Sequence, residues 1–400
     1  MTTEQFRHRA RAWLELNAPP SSSGPSGGMD DPTPLATQQA FQAALYDAGF
    51  AGITWPTEYG GQGLTNAEKT AFDEESRDFS LPVGIFVVGL GMPGPTLLDC
   101  GSAAQKRRYL PKMLRGEEIW CQLFSEPGAG SDVAALQSTA VRDGEHWVLN
   151  GQKVWTSAAQ VSHFGIVLAR TDPAPPKHAG ITMFILDMHA PGVTVRPLRV
   201  ATGAAPFNEV FFDDVRLDQD AVVGTVNGGW AAAVVMLRHE RESLGTRARP
   251  RAHPLSYDSL SALASSGNGR LLQDRRRTLA ALYARESAVG ALARLLREQA
   301  MQGQDIGARG SIVKLARAEL EHFAAEVAFD VLDESVAAYD SPALDAVVTA
   351  AIESRGQSVA GGTSEIQRNI IGERVLGLPK DPGLDRRAPF NQLRVGTQSR

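Results

Sequence analysis

The chain has 400 residues, enough for two or three domains with sizeable apolar cores. Hydrophobic residues at 43% and charged residues at 21% are globular values, and a formal charge of -5 argues against a nucleic-acid binder dominated by phosphate contacts. Cys100 and Cys121 form no CxxC pair and the eight histidines no HExxH motif, which suits a reducing cytoplasm and gives no metal signature.

The first segment, MTTEQFRHRARAWLELN, carries charges inside its apolar pattern and lacks a signal-peptide core, so a cytoplasmic protein is expected. Phe6, Ala10, Trp13 and Leu14 share one helical face. PPSSSGPSGGMDDPTP (Pro19 to Pro34) reads as a flexible loop, followed by a helix through Phe41 and Leu45. ITWPTEYGGQGLT (Ile53 to Thr65) is irregular, either a packed surface loop or part of a site, with packing favoured from these residues alone. No apolar run approaches the ~20 residues needed to span a bilayer.

From about residue 136 to 217 the apolar period becomes two. LQSTAVR, HWVL and QKVW are punctuated by Asp143-Gly144 and Asn150-Gly151, both read as hairpin turns. FGIVLAR, ITMFILD, VTVRPL and EVFFDDV continue at strand length, predicting a β-barrel or sandwich. After Gly228-Gly229 the helical period returns. Leu271 to Glu298 and Ile312 to Tyr339 read as long helices, the second with Leu320, Phe323, Val327 and Val331 as bundle core. Ala248 to Gly269 reads as a loop-rich insertion. The expected architecture is α+β: a helical domain over 1–120, a β domain over 121–225 and a helical bundle over 226–400.

The most specific stretch is FSEPGAGSDVAAL, Phe124 to Leu136, whose small residues let backbone N–H groups crowd an anion beside the Ser131 hydroxyl. About twenty residues later comes NGQKVWTSAA (Asn150 to Ala159), with a Trp and a Ser at the end of a strand. A planar cofactor needs an aromatic wall and a hydroxyl at its edge. With ITWPTEYGGQG, GPTLLDCGSAAQKRRYLPKMLRGEEIW, FNEVFFDDV, Gly229-Trp230 and GGTSEIQRNIIGERVLGLP, these stretches resemble the acyl-CoA dehydrogenase family of flavoproteins, in its order and spacing and over nearly the whole chain.

The resemblance implies FAD as cofactor, with Phe124, Ser125, Gly130 and Ser131 along it, Trp155 on one flavin face and Ser157 near N5. It places Thr363 and Glu365 at the same cofactor. The implied reaction removes an α-proton from an acyl-CoA thioester while the β-hydrogen leaves as hydride to the flavin. Many members read Tyr-Glu-Gly-Thr at the last motif, with that Glu as base; here Ala360-Gly361-Gly362-Thr363 has no carboxylate, although the Gly361 N–H remains for the thioester oxygen. A subset carries its base on another helix, and Glu240-Arg241 matches that subset's Glu-Arg pair. Glu240 is then the expected base, with Arg241 keeping it ionised. Read without the family, Glu240 is an exposed helix residue paired to Arg241 or Arg238.

Two segments through which simple homotetramers reach a neighbour's FAD are absent, in the Asp274 to Glu286 and Tyr339 to Val359 regions. This resembles the bacterial branch that includes sterol side-chain-degrading dehydrogenases, some of them heterotetramers. Expected partners are an acyl-CoA with a branched or bulky chain, electron-transfer flavoprotein, and further subunits in a homo- or hetero-dimer or tetramer. No nucleic acid and no membrane are expected. The alternatives are a non-catalytic subunit that completes a partner's site, and a flavin-dependent monooxygenase on the same fold.

Overall fold

The computed structural model describes residues 1–20, 33–246, 253–266, 275–302, 304, 306–332, 342–380 and 387–393. Helix α1 (Thr3–Asn17) starts at a reciprocal cap: Thr2 Oγ1 accepts from the Gln5 N–H, and Gln5 Oε1 accepts from the Thr2 N–H. The same device opens α3 (Asn66–Glu75) at Thr65 and Glu68, and α6 (Ala103–Arg115) at Ser102 and Gln105. Between them lie α2 (Leu35–Asp47), α4 (Val87–Gly91) and α5 (Pro93–Cys100). Phe6, Ala10 and Leu14 are fully buried, and Trp13 packs partly exposed against Phe41 and Phe50.

The irregular stretch from Ile53 to Thr65 is a packed loop. Trp55 is buried with Leu97, Leu110 and Met113, and a Cβ on Gly61 would lie 2.2 Å from the Trp55 carbonyl oxygen. Most of the segment read as a loop between Pro19 and Pro34 lies outside the described residues.

Eight strands form one sheet: β1 (Trp120–Leu123), β2 (Thr139–Asp143), β3 (His146–Ser157), β4 (Phe164–Arg170), β5 (Ile181–Asp187), β6 (Val193–Leu198), β7 (Phe207–Asp218) and β8 (Val222–Val223). The order is β6-β7-β3-β2-β4-β5-β8, with β1 running parallel beside β4. Residues of β4 and β5 are buried on both faces, as in a strand covered from two sides. Ile166, Leu168, Met183 and Ile185 face a core shared with the helices, while Val167, Ala169, Phe184 and Leu186 face Trp147, Val210 and Leu217.

Asp143-Gly144 makes the expected hairpin turn between β2 and β3, with Gly144 at φ +61°. Asn150-Gly151 does not turn the chain. β3 runs straight through it, and the pairing with β7 slips between Leu149 and Gly151. The extra residue of the bulge is on β7, where Asp214 has φ +48° and exchanges two hydrogen bonds with the Asn150 side chain. Glycine is required at 151 because a Cβ there would sit 2.4 Å from Ser138 Oγ.

The C-terminal part contains α7 (Gly229–Thr246), α8 (Tyr257–Ser266), α9 (Arg276–Met301), α10 (Gly310–Leu332), α11 (Pro342–Glu353) and α12 (Ser364–Ile370), which relaxes into a π turn over Ile371–Val375. Leu320, Val327 and Val331 are buried as expected, whereas Phe323 is partly exposed with the Arg285 guanidinium 3.8 Å over its ring. The insertion read as loop-rich contains α8, whose Leu260 and Ala264 join the core; residues 247–252 and 267–274 lie outside the described residues. Among the described residues no helix is long and apolar enough to cross a membrane, and no group of three His, Cys, Asp or Glu could hold a metal ion.

Candidate functional site

β1 delivers the chain into the glycine-rich loop, and a buried ion pair fixes the loop's shape. Lys153 on β3, fully buried, donates from Nζ to Glu126 Oε1 at 2.8 Å and to the Phe124 carbonyl at 3.2 Å. The Glu126 carboxylate also accepts the N–H groups of Gln137 and Ser138 at 2.6 and 3.0 Å. Burial pushes the Glu126 carboxyl up, but Lys153 and these donors outweigh it and leave the group below the usual carboxylate range. Burial likewise pulls Lys153 down, opposed by Glu126. The result is a closed charge pair at the loop's root, with paired backbone bonds between Glu126 and Ala129 tightening its tip.

The outer edge of this loop is open. A Cβ on Gly128 or on Gly130 would meet nothing within 4 Å, and Ser131 is exposed beside them. Phe124 differs: it is only 4% exposed, its side chain belongs to the core, and its carbonyl is taken by Lys153. Ser125 is partly buried, and its carbonyl accepts the Val154 N–H at 2.9 Å, which ties the loop to β3 one residue before Trp155.

Trp155 is not a core residue. It is 57% exposed, and among the described residues its ring contact is an edge-on one to Phe207 at 5.8 Å. Its φ is +60°, at the point where the β3–β7 register slips between Lys153 and Thr156. A bulky residue in the left-handed region costs roughly 1–2 kcal/mol, and such strain clusters at functional sites. Ser157, partly buried, closes the strand opposite Phe207.

Glu240 lies on α7, whose flank is held by Asp99: Arg238 Nη2 donates to Asp99 Oδ2 at 3.1 Å and His239 Nε2 lies 2.9 Å from the same oxygen. Arg238 is therefore engaged with α5, and Glu240 turns the other way. Its Oε2 accepts from Gln122 Nε2 of β1 at 3.3 Å. Burial raises the Glu240 carboxyl above the usual range, opposed by the Gln122 hydrogen bond and by the charges of Arg241 and Lys314. A partly buried carboxylate whose proton affinity is raised by burial is a candidate general base.

The C-terminal turn explains its paired glycines. Gly361 and Gly362 have φ +65° and +86°, both left-handed, and Thr363 then caps α12 by accepting the Ile366 N–H. Lys314 Nζ donates to the carbonyls of Gly362 and Gln357 at 2.7 and 3.0 Å, and Gln367 Nε2 donates to those of Gly361 and Gly362 at 2.9 and 3.2 Å. Glu365 is exposed, and the backbone N–H at the helix start and the Thr363 hydroxyl hold its carboxyl below the usual range.

Two groups of residues thus emerge. Ser125 and Trp155 are joined through the loop and β3; Glu240, Lys314 and the Gly361–Thr363 turn are joined through α7 and α10, and Gln122 on β1 links the two. Gln122, Lys314, Gln367 and the Glu126–Lys153 pair were not singled out from the sequence. Gln122, Glu126 and Lys153 stand inside the quoted motifs, whereas Lys314 looks like any lysine on an amphipathic helix.

The residues present fit a flavin nucleotide on the structure's own terms. The open glycine edge leaves room for close backbone approach by a phosphate, and the exposed Trp155 ring offers a face for a planar system.

Helices, a β domain and helices again are the architecture of an acyl-CoA dehydrogenase-type oxidoreductase. Residues 2–117, 121–215 and 227–376 match the N-terminal, middle and C-terminal domains of acyl-CoA dehydrogenase in turn, and the chain belongs to that family of FAD-dependent enzymes. It is 37% identical to acyl-CoA dehydrogenase IpdE1 of Mycobacterium tuberculosis over 94% of this chain and 98% of the relative. Among solved structures it resembles the Tcur3481-Tcur3483 steroid ACAD, with TM-score 0.79 and 27% identity over 95% of this chain and 98% of that one. It also resembles the ChsE4-ChsE5 complex from Mycobacterium tuberculosis, with TM-score 0.77 and 29% identity over 95% and 98%.

Proposed function

We propose that this acyl-CoA dehydrogenase uses Glu240 as its base on a ring-bearing or similarly bulky acyl-CoA, in lipid or sterol catabolism. The observation that carries the reading is the course of Glu240: with Arg238 drawn to Asp99, the partly buried Glu240 side chain reaches β1 and bonds Gln122. A monooxygenase on the same fold needs no carboxylate there.

FAD, when bound, supplies the hydride acceptor. The N–H groups around Gly130 and the hydroxyl of Ser131 would hold its phosphates, Ser125 would line it, with Phe124 packed behind, and Trp155 and Ser157 would hold the ring, with Thr363 and Glu365 at the C-terminal side. Glu240 takes the α-proton. The Gly361 N–H donates to the thioester oxygen, where charge develops as that proton leaves. Arg241 adds positive potential and opposes the effect of burial on Glu240. A Gly361 without a side chain leaves space that a Glu would fill, which supports a bulky chain, as do the steroid-related neighbours.

A second chain is part of this reading. Val359, Leu376 and Leu378 are exposed near the C-terminal turn, an apolar surface suited to a further subunit, and a solved neighbour is a complex of two components. Of the Arg275–Arg277 run, Arg275 binds Asp330 at 3.0 Å, while Arg276 and Arg277 are exposed and available to a partner. Electron-transfer flavoprotein is the proposed acceptor of electrons from the reduced enzyme.

The test is anaerobic addition of straight-chain, branched and steroid-ring CoA esters to the purified flavoprotein, alone and coexpressed with a paralogous subunit. Bleaching by the ring-bearing ester, retained flavin and no bleaching in Glu240→Gln are the expected results. Full bleaching by that variant would remove Glu240 from its role, and bleaching only by straight chains would remove the bulky substrate.

A further inference from the structure

Lys314 has a place in this site that family resemblance did not assign. It projects from α10, partly buried, and its ammonium bridges two carbonyls of the segment that enters and forms the glycine turn, Gln357 O at 3.0 Å and Gly362 O at 2.7 Å. Gln367 grips the same turn from α12 through the carbonyls of Gly361 and Gly362. Two consecutive glycines at positive φ are the least constrained backbone available, and because peptide units are planar, fixing their carbonyls fixes the Gly362 and Thr363 N–H groups across the same bonds and leaves the preceding Gly361 N–H at the start of a held turn. α10 also packs on α7, the helix of Glu240.

We propose that Lys314 is a positioning residue that clamps the Gly361–Gly362 turn through these carbonyls and sets its positive charge toward Glu240, holding the base's helix and the thioester-binding turn in one electrostatic unit. The inference rests on Glu240 as the base and deepens that reading. Its charge environment supports it. The charges acting on Glu240 are Arg241 on its own helix and Lys314, beside the Gln122 amide from β1; those acting on Lys314 are Glu240 and Glu365. Of the other elements packed on α7, α5 presents Asp99, already engaged by Arg238 and His239, and the Cys100 thiol, which burial pushes up; α4 has no titratable residue; β5 carries only the exposed Asp187. α9 adds no charge to the set acting on Glu240. Among the described residues Lys314 is thus the cation from another helix in that set, and burial, which pulls its own proton affinity down, is opposed by Glu240.

The experiment compares the full flavinated chain with Lys314→Met, Lys314→Arg and Glu240→Gln. Backbone amide exchange across Gln357–Ile366 reads the clamp without substrate. The carboxyl band that disappears in Glu240→Gln, followed by infrared difference spectroscopy against pH, reads the charge coupling. Lys314→Met is expected to exchange about tenfold faster in that segment. It should also raise the Glu240 midpoint by about one unit. Lys314→Arg, which keeps the charge but not the compact donor, should exchange faster with its midpoint unmoved. Unchanged exchange in either variant, or an unmoved midpoint in Lys314→Met, overturns the proposal. Should Lys314→Met not fold, the arginine variant's exchange decides alone. Full bleaching of Glu240→Gln by an acyl-CoA would instead overturn the base assignment, a failure distinct from an inert clamp.

Discussion

Gln122 Nε2 lies 3.3 Å from Glu240 Oε2, so the strand that feeds the glycine-rich loop also touches the candidate base. The amide favours the ionised carboxylate and opposes the effect of burial. Gln122→Leu removes that donor without adding charge, and the Glu240 pKa should rise further. The pH at which the flavin-bleaching rate is half-maximal is expected to move up by about one unit. Gln122→Glu should move it further still, because a second carboxylate would then face the first. A stopped-flow rate profile across pH checks both, and an unmoved midpoint in Gln122→Leu would show that this contact leaves the base untouched.

Glu240 also makes stability depend on pH, with a definite sign. Its folded pKa lies above the unfolded value, so the folded state holds the proton more tightly. Its contribution is fully present below the unfolded pKa, about 4.3, and is lost as pH rises through the folded value. Glu240→Gln carries no charge to bury and escapes this loss. The variant should therefore melt higher than the parent at pH 8, with the gap closing toward pH 5, while an acyl-CoA no longer bleaches its flavin. Thermal melts of both proteins across that range are the measurement. A parent that melts higher at pH 8 would contradict the inward, desolvated carboxylate.

The Glu126–Lys153 pair makes a prediction about the cofactor loop and about stability together. Lys153→Met leaves Glu126 buried without its cation, and breaking such a pair costs about 3–5 kcal/mol. Replacing both, as Glu126→Gln with Lys153→Met, removes the stranded charge and should recover part of that loss. The double variant still lacks the bond from Lys153 to the Phe124 carbonyl, so its loop should stay looser and its flavin dissociate faster. Denaturant melts and flavin release on gel filtration distinguish the two effects. Equal stability of single and double variants would mean that the charge pair is not what holds the loop.

The long elements were legible because their signals are local and redundant. The reciprocal caps at Thr2, Thr65 and Ser102 and the short apolar runs of β4 and β5 each announce an element within a few residues. Asn150-Gly151 misled because the same dipeptide suits a turn and a bulge, and only the close approach of Ser138 and the cross-strand bonds to Asp214 decide between them. Ala248 to Gly269 misled because its Pro and Gly lie at the ends, while Tyr257 to Ser266 between them forms a helix. The site was legible where chemistry is written in the residue type: a glycine loop, a Trp with a Ser, a missing carboxylate. Gln122 and Lys314 were not, since an amide on a strand and a lysine on a helix acquire meaning only from what stands opposite, some 118 and 48 residues away in the chain.

Trp155 allows strain and ligand contact to be separated. At φ +60° any residue with a Cβ is strained, so Trp155→Ala keeps the strain while losing the ring. Trp155→Gly loses both. If the exposed indole is kept for a flavin and not for packing, the two variants should lose flavin to a similar degree, since each removes the ring. In the flavin-free state they should differ, with the glycine variant more stable by about 1 kcal/mol, because glycine adopts this conformation freely. The ring itself, half exposed with an edge contact to Phe207, contributes little packing to the empty protein. Trp155→Gly should then match or exceed the flavin-free parent in denaturant midpoint while binding flavin more weakly. A glycine variant that is less stable than the alanine variant would show that the left-handed conformation at this position carries no strain.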